Sequence, residues 1–400
     1  MRIGTILFTY HRSVHTQKVL EALSKNSLLP EKLYIFQDGI TEGTNIEEWN
    51  QVNKIIQNCN WCSTQIHIAK ENMGLAKSVV TGINYVLKEC DAAIILEDDC
   101  VPNEHFMRFM VSALETYRLK GEVYSVSGYA WNISLSQDDY DAYFNGRVCS
   151  WGWGTWRDRW SQYEEDYNIL KRIKKDSAAK KRLSLWGNDL ETMLENKLKG
   201  KNDSWAVFWG LKIIEQGGYC LSPYQQLIHN VGFDGSGQHC GILQDQYREA
   251  KQPFGKEICF PDQIQSTREI EEEFAFLYAG KHGSEKLELN RDILIKWLQM
   301  KQEGKTLQIA KEHKNGLAVW GKGKIFDCFM KELSLPVQCI IETRPSLETY
   351  QGIPIVSVYD LPQDIQNVIV IPYFDVPIIK RKIMKIRPDI CVIGLDELIK

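Results

Sequence analysis

Ala92-Ala93-Ile94-Ile95-Leu96-Glu97-Asp98-Asp99-Cys100-Val101-Pro102 runs an apolar segment straight into three consecutive carboxylates and a proline-bearing turn. Two unit charges about 4 Å apart repel by about 4 kcal/mol at an effective dielectric of about 20. Three acids at the mouth of a buried strand therefore call for an offset, and a cation is the first candidate. Hard divalent cations take oxygen ligands and keep several waters, and magnesium or manganese held this way usually also holds substrate phosphates. A simpler alternative is that Asp98 or Asp99 caps the turn at Pro102.

Upstream of this stretch the chain alternates between two periods. "RIGTILFTY", "KLYIFQDG" and "TQIHIAKEN" read as strands, and "AAIILEDD" is the fourth. "SVHTQKVLEALSKN" has helical apolar spacing, with Val19, Leu20 and Leu23 on one side; "NIEEWNQVNKIIQNC" and "GLAKSVVTGINYVLKEC" are also helical. Strand–helix alternation with short links predicts an α/β fold with a parallel sheet covered on both faces. Ligands of such sheets bind outside the carboxyl ends of the strands. Tyr10-His11-Arg12, Gln37-Asp38, Glu71-Asn72 and Glu97-Asp98-Asp99 all fall at those ends, so four polar clusters are expected to converge on one edge.

From about residue 122 to 240 the texture changes. "CSWGWGTWRDRW" places Trp151, Trp153, Trp156 and Trp160 within ten residues, and Trp131, Trp186, Trp205 and Trp209 bring eight of the twelve tryptophans into this part. Stacked core aromatics explain them, and so does a platform presenting ring faces to a sugar, to which Gly152 and Gly154 would lend a tight backbone. Residues 246–305 are charged and read as a helical connector. Residues 306–400 restart a strand–helix rhythm, predicting a second, small α/β domain after a first domain over 1–245; it resembles small Rossmann-like domains. There Gly321 and Gly323 follow a strand and Glu342 ends the next one, as a dinucleotide fingerprint requires, but Phe326 stands where its third glycine would be.

Bulk properties narrow the function. The 400 residues carry a formal net charge of −4 and are 44% hydrophobic and 25% charged. No global basic field points to nucleic acid. The runs Lys171–Lys175 and Lys180–Arg182 read as solvated helix faces. The apolar run Met1–Phe8 is too short for a signal peptide's apolar region, and no stretch reaches the roughly 18 apolar residues of a membrane span. A cytoplasmic protein, compatible with peripheral docking on the inner membrane, is the expectation. Eleven cysteines without a framework suit reduced thiols; only Cys59-Asn60-Trp61-Cys62 has a spacing that suggests zinc or redox chemistry.

Taken in order, "FTYHR", "FQDG", "ENMGLAKSVVTGIN", "LEDDCVP", "SWGWGTWRDRW", "NDSWAVFW" and "GYCLSPYQQLIHNVGFDGSGQH" resemble the GT-A fold nucleotide-sugar glycosyltransferases. The likeness is to the bacterial family 2 type, with a motif order similar to N-acetylglucosaminyltransferase I, and it covers roughly residues 1–240. It implies a Rossmann-like mixed sheet flanked by helices and transfer of a sugar from a nucleotide donor, UDP before GDP, to a hydroxyl of a glycan or lipid-linked saccharide. Manganese or magnesium would be the cofactor, and assembly of a bacterial surface polysaccharide the setting.

The resemblance also implies roles. Asp99 would bind the metal, Asp98 would lie near the ribose or the metal's waters, and Glu97 would face the donor sugar. Asp38 would accept from a uracil N–H, Arg12 would meet phosphate or base, and Tyr10 would stack on the base; Asn72 and Lys77 border the donor pocket. Asp203 matches the base that deprotonates the acceptor, with Asp158 and Asp189 as weaker alternatives and a helix N-cap as its simpler role. Trp151 and Trp153 would form the acceptor platform. His239 would join the metal or phosphate, in competition with His229, although a lone histidine is more often a structural hydrogen bonder.

Two other functions fit the same residues. A nucleotidyltransferase would use the same sheet, but Thr9-Tyr10-His11-Arg12-Ser13 lacks the glycine such a phosphate loop needs. A sugar- or nucleotide-binding module would use the tryptophans without turnover. Oligomeric state has no signature in the sequence.

Overall fold

The computed structural model describes residues 1–131, 140–232, 257–278, 295–300, 302–303, 316–321, 337–342, 348–371 and 376–398. The chain divides into two compact units, one built on Met1–Trp131 and Leu135–Ala279, the other on Gly280–Lys400.

The first unit opens with β1 (Ile3–Thr9), α1 (Ser13–Ser24), β2 (Lys32–Gln37), α2 (Ile46–Gln57), β3 (Ser63–Ile68), α3 (Leu75–Glu89) and β4 (Ala92–Glu97). It continues through β5 (Cys100–Pro102), α4 (Phe106–Thr116), β6 (Val123–Ser127), β7 (Ala142–Asn145), β8 (Trp153–Trp156) and α5 (Arg157–Trp160). After these come α6 (Ile169–Lys175), α7 (Ser177–Trp186), α8 (Asp189–Leu198), α9 (Ala206–Glu215), β9 (Tyr219–Pro223), β10 (Ile228–Asn230) and α10 (Arg268–Leu277). Eight strands form one sheet in the order β3-β2-β1-β4-β8-β6-β9-β7, and β5 pairs with β10 in a small second one.

β1 to β4 pair in parallel, and β8 runs antiparallel to β4, converting a parallel sheet into a mixed one. The central strands read as continuous apolar runs because both faces are covered. Leu7, Ile35, Ile94 and Leu96 face a core shared with Val19 and Leu23 of α1 and Phe106 and Met110 of α4. Their neighbours Ile6, Phe8, Tyr34 and Ile95 face the opposite way, onto Val79, Ile83 and Val86 of α3 and Trp209 of α9. Local chemistry sets the helix starts. Asn45 caps α2 by accepting from Glu48 N at 3.1 Å, and Asp176 caps α7 by accepting from Ala179 N at 2.7 Å.

The second unit holds β11 (Leu317–Trp320), β12 (Cys339–Ile341), β13 (Thr349–Tyr350), β14 (Ile353–Val356), β15 (Asn367–Val370) and β16 (Cys391–Gly394) in the order β13-β14-β12-β11-β15-β16. All its pairings are parallel except the β13–β14 hairpin. The helix Val376–Ile386 links β15 to β16. The expected class, a mixed Rossmann-like sheet flanked by helices with a second, smaller α/β sheet, is the one observed. Gly321 leaves β11 at φ 94° and donates its N–H to Ile341 O. Gly323 and Phe326, the rest of the fingerprint-like segment, lie outside the described residues. Among the described residues no helix is long and apolar enough to cross a membrane.

Candidate functional site

Strand register brings the acidic cluster to a partner. Phe8 of β1 lies opposite Glu97 of β4, so Tyr10–Arg12 and Asp98–Asp99 leave the sheet side by side. Arg12 Nη2 accordingly donates to Asp98 Oδ1, and to Asp99 Oδ2 at 3.0 Å. Asp98 and Asp99 are both buried. Among the described residues one guanidinium meets three crowded carboxyl groups, and protonation relieves part of their repulsion. Burial, then the Asp99 and Asp98 carboxylates, push Glu97 up to about 8. Burial also raises Asp98, against the pull of Arg12. The two aspartates in turn hold the Arg12 guanidinium above its usual range despite its own burial.

Around this cluster lies a cavity of about 960 Å³. Tyr10, Arg12, Asp38, Asn72, Glu97, Asp98 and Asp99 all line it, and so does Trp151. The four polar strand ends thus meet in one place, although the Glu71 side chain is not part of the wall. Tyr10 is fixed by a 2.5 Å hydrogen bond between its hydroxyl and Thr44 Oγ1.

The N-terminus of α3 forms another wall and is held by two carboxylates. Asp38 Oδ1 accepts from Gly39 N at 2.8 Å and Met73 N at 2.9 Å, and its Oδ2 accepts from Gly74 N at 3.1 Å. Asp203 Oδ2 accepts from Ala76 N at 3.2 Å, and Lys197 Nζ donates to Asp203 Oδ1 at 3.2 Å. Helix N-termini favour such anions. Gly74 suits this turn through its φ of 77°, a conformation L side chains rarely adopt. Asn72 ties the turn together by donating to Gly39 O at 2.9 Å. Asp38 therefore has a structural task, and with three N–H bonds on its two oxygens it keeps room for about one more donor. Asp203 is itself not part of the cavity wall: its side chain is 52% exposed, beside Asn202 and Ser204, which do line the cavity.

Besides Asp203, two more expected site residues do not line the cavity. Trp153 is fully buried in β8, stacked on Trp205 at 5.1 Å and close to Trp160 at 5.8 Å. Neither of its faces is open to a sugar, because the β4–β8 pairing draws it into the core under α3 and α9. Lys77 is exposed on α3 and does not line the cavity. Of the alternative bases, Asp158 pairs with Arg159 and is 71% exposed, while Asp189 is held by Arg147 through both oxygens at 2.7 and 2.8 Å. His239 lies outside the described residues. His229 lies on β10 opposite Val101 of β5 and is not part of the wall.

β10 contributes a residue that the sequence reading passed over. Asn230 is buried and lines the cavity beside Asp99, whose backbone O accepts from Val231 N at 2.9 Å. A Cβ on Gly232 would lie 2.6 Å from Asp99 Oδ2, so the chain passes directly over that carboxylate. Arg147 was also missed. It is buried, lines the cavity, and stacks 4.2 Å from the Tyr278 ring. Tyr129 and Trp131 stand beside it in the wall; Tyr129 meets Trp151 edge-on at 5.0 Å. Trp131 packs edge-on against Phe274 of α10 at 5.5 Å. A guanidinium within the otherwise uncharged "NGRVC" was the only signal for Arg147, and "LIHNVG", next to His229, the only one for Asn230.

The residues present fit a hard divalent ion. Asp98 and Asp99 supply carboxylate oxygens to the cavity wall. Among the described residues no three His, Cys, Asp or Glu side chains form a ready cage. That suits an ion held by one or two carboxylates, waters and substrate phosphate.

No protein-family model matches the sequence, and no curated protein does either. Among solved structures, Staphylococcus aureus TarS 1–349 is 9% identical, with 57% of this chain and 59% of that one covered and a TM-score of 0.34. The mannosyltransferase PcManGT from Pyrobaculum calidifontis, in complex with GDP-Man and Mn2+, is 10% identical over 54% of this chain and 69% of that one, with a TM-score of 0.30. Glucosyl-3-phosphoglycerate synthase from Mycobacterium tuberculosis is 11% identical over 39% and 57%, with a TM-score of 0.25. The chain spans less than two thirds of the TarS chain. Likenesses this faint carry no weight for the activity of the present chain.

Proposed function

We propose that the chain is an inverting, divalent-metal-dependent glycosyltransferase that moves a sugar from a nucleotide donor, UDP before GDP, to a hydroxyl of a glycan or lipid-linked saccharide. The observation that carries this reading is the Glu97–Asp98–Asp99 cluster, its two aspartates buried and bridged by Arg12, in the wall of a cavity large enough for a nucleotide-sugar.

Asp99, with Asp98 beside it, would hold manganese or magnesium, which when bound supplies Lewis-acid support to a departing diphosphate. Arg12 offers a guanidinium to the same phosphates, and its planar fork suits them. Tyr10 and the free acceptor capacity of Asp38 face the nucleoside, and Glu97 faces the donor sugar. Asp203 takes the acceptor hydroxyl proton while that oxygen forms a bond to the anomeric carbon. The bond from that carbon to the diphosphate oxygen breaks in the same displacement, so the configuration inverts. Lys197 and Ala76 N hold the Asp203 carboxylate still and leave each oxygen a lone pair for the proton. Trp151, with Tyr129 and Trp131, offers ring surface to the acceptor.

In this reading residues 1–245 carry transfer, and 246–305 connect to a small domain over 306–400. The biological setting is the cytoplasmic side of bacterial surface-glycan assembly. The test is diphosphate release from UDP- and GDP-sugars with manganese, followed by NMR of the product anomer. Turnover that needs the metal and inverts the anomeric centre supports the proposal. Unchanged turnover in excess chelator, or retention, overturns it.

A further inference from the structure

Cys59 and Cys62 flank the turn between α2 and β3, in the first unit and outside the cavity wall. Of the nine described cysteines, five are buried, and Cys259 and Cys391 are exposed and belong to no C-x-x-C pair. Cys59 and Cys62 alone are both half-buried and close together. They share one hydroxyl. Thr64 Oγ1 lies 3.6 Å from Cys59 Sγ, to which it donates, and 3.7 Å from Cys62 Sγ. The Thr64 hydroxyl also reaches Cys62 O at 3.2 Å, so one side chain gathers both thiols, and its donation to Cys59 Sγ is the contact that favours a thiolate there. Zinc needs four ligands, and among the described residues no three-ligand group exists.

We infer that Cys59 and Cys62 form a thiol–disulfide exchange site, whose substrate class is a low-molecular-weight disulfide. Cys59 thiolate attacks one sulfur of that disulfide and expels the other as a thiolate, leaving a mixed disulfide on Cys59. Cys62 then gives up its proton and attacks Cys59 Sγ, expelling the second small thiolate. The protein dithiol loses two electrons and two protons, and the small disulfide is reduced to two thiols. The order of attack follows from the Thr64 hydroxyl, which donates to Cys59 Sγ. The neighbouring thiol and that hydroxyl also draw Cys59 down, while the same neighbour and burial raise Cys62.

Trypsin releases Ile55–Lys70, which contains these two cysteines and no other, so the site can be read in the intact wild-type chain. The full chain is incubated with oxidised glutathione, quenched in acid, alkylated and digested. The expected result is that Ile55–Lys70 becomes lighter by two hydrogens and carries no glutathione, while the peptides of Cys259 and Cys391 carry it. In Cys62→Ser the mixed disulfide on Cys59 should accumulate at least tenfold faster than that on Cys62 in Cys59→Ser. The inference is overturned if wild-type Ile55–Lys70 keeps both thiols or a lasting glutathione adduct while Cys259 reacts, or if the two variants react equally fast.

Discussion

Replacing Arg12 with methionine removes the guanidinium that bridges Asp98 and Asp99 while keeping most of the side-chain volume. Removing one partner of a buried pair costs about 3–5 kcal/mol. The Arg12 side chain keeps 19% exposure, so the lower end, about 3 kcal/mol, is the expectation at a pH where the acids are ionised. Protonation relieves part of that cost. Glu97 and Asp98 already sit above the usual carboxylate range, so between about pH 4.5 and 8 the native state holds protons that the unfolded chain has released. Stability therefore falls as pH rises through this window, by up to about 1.4 kcal/mol per pH unit for each extra proton bound. Arg12→Met should deepen the slope. Its deficit should be about 1 kcal/mol near pH 5.5 and about 3 kcal/mol near pH 8. Urea unfolding followed by tryptophan fluorescence measures it, because all of the twelve tryptophans but Trp297 and Trp320 lie in the first unit. A deficit equal at the two pH values, or below about 0.5 kcal/mol near pH 8, would refute the view that Arg12 neutralises this cluster.

Asp203→Asn should lower kcat by about 10²–10⁴ while leaving the donor Kd within about twofold, measured by steady-state kinetics alongside calorimetry. A loss confined to KM would remove Asp203 from the base role. Trp153→Ala should cost roughly 3–5 kcal/mol in urea unfolding, whereas Trp151→Ala should leave stability within about 1 kcal/mol and raise the acceptor KM. Arg147→Lys keeps the charge but loses the two-point contact to Asp189 and the stack on Tyr278, so a loss of about 2 kcal/mol is expected in thermal or urea unfolding.

The four leading strands and the three helices between them are legible in the chain. Their apolar runs are continuous where both faces are covered, and Val19, Leu20 and Leu23 already mark the buried side of α1. The polar strand ends are legible for the same reason, since a parallel sheet puts every carboxyl end on one edge. The tryptophan segment is not. Its fate depends on β8 inserting antiparallel beside β4, a pairing between residues some sixty apart that no local period encodes. The same pairing buries Trp153 and leaves Trp151 half-buried at the cavity wall. Arg147 and Asp189 are 42 residues apart and each looks like an ordinary surface charge until the fold joins them. Asp38 was readable as polar, but its grip on Met73 and Gly74 depends on the α3 turn folding back over β2.

The central claim is that the acids after β4 form a site completed by a divalent ion and a nucleotide-sugar. Calorimetric titration of UDP- and GDP-sugars, with and without manganese, into wild type and Asp99→Ala tests it most directly. At least one donor should bind wild type at least tenfold more tightly with manganese, and Asp99→Ala should remove this gain. Donor binding that ignores the metal, or a manganese gain that survives in Asp99→Ala, would contradict it.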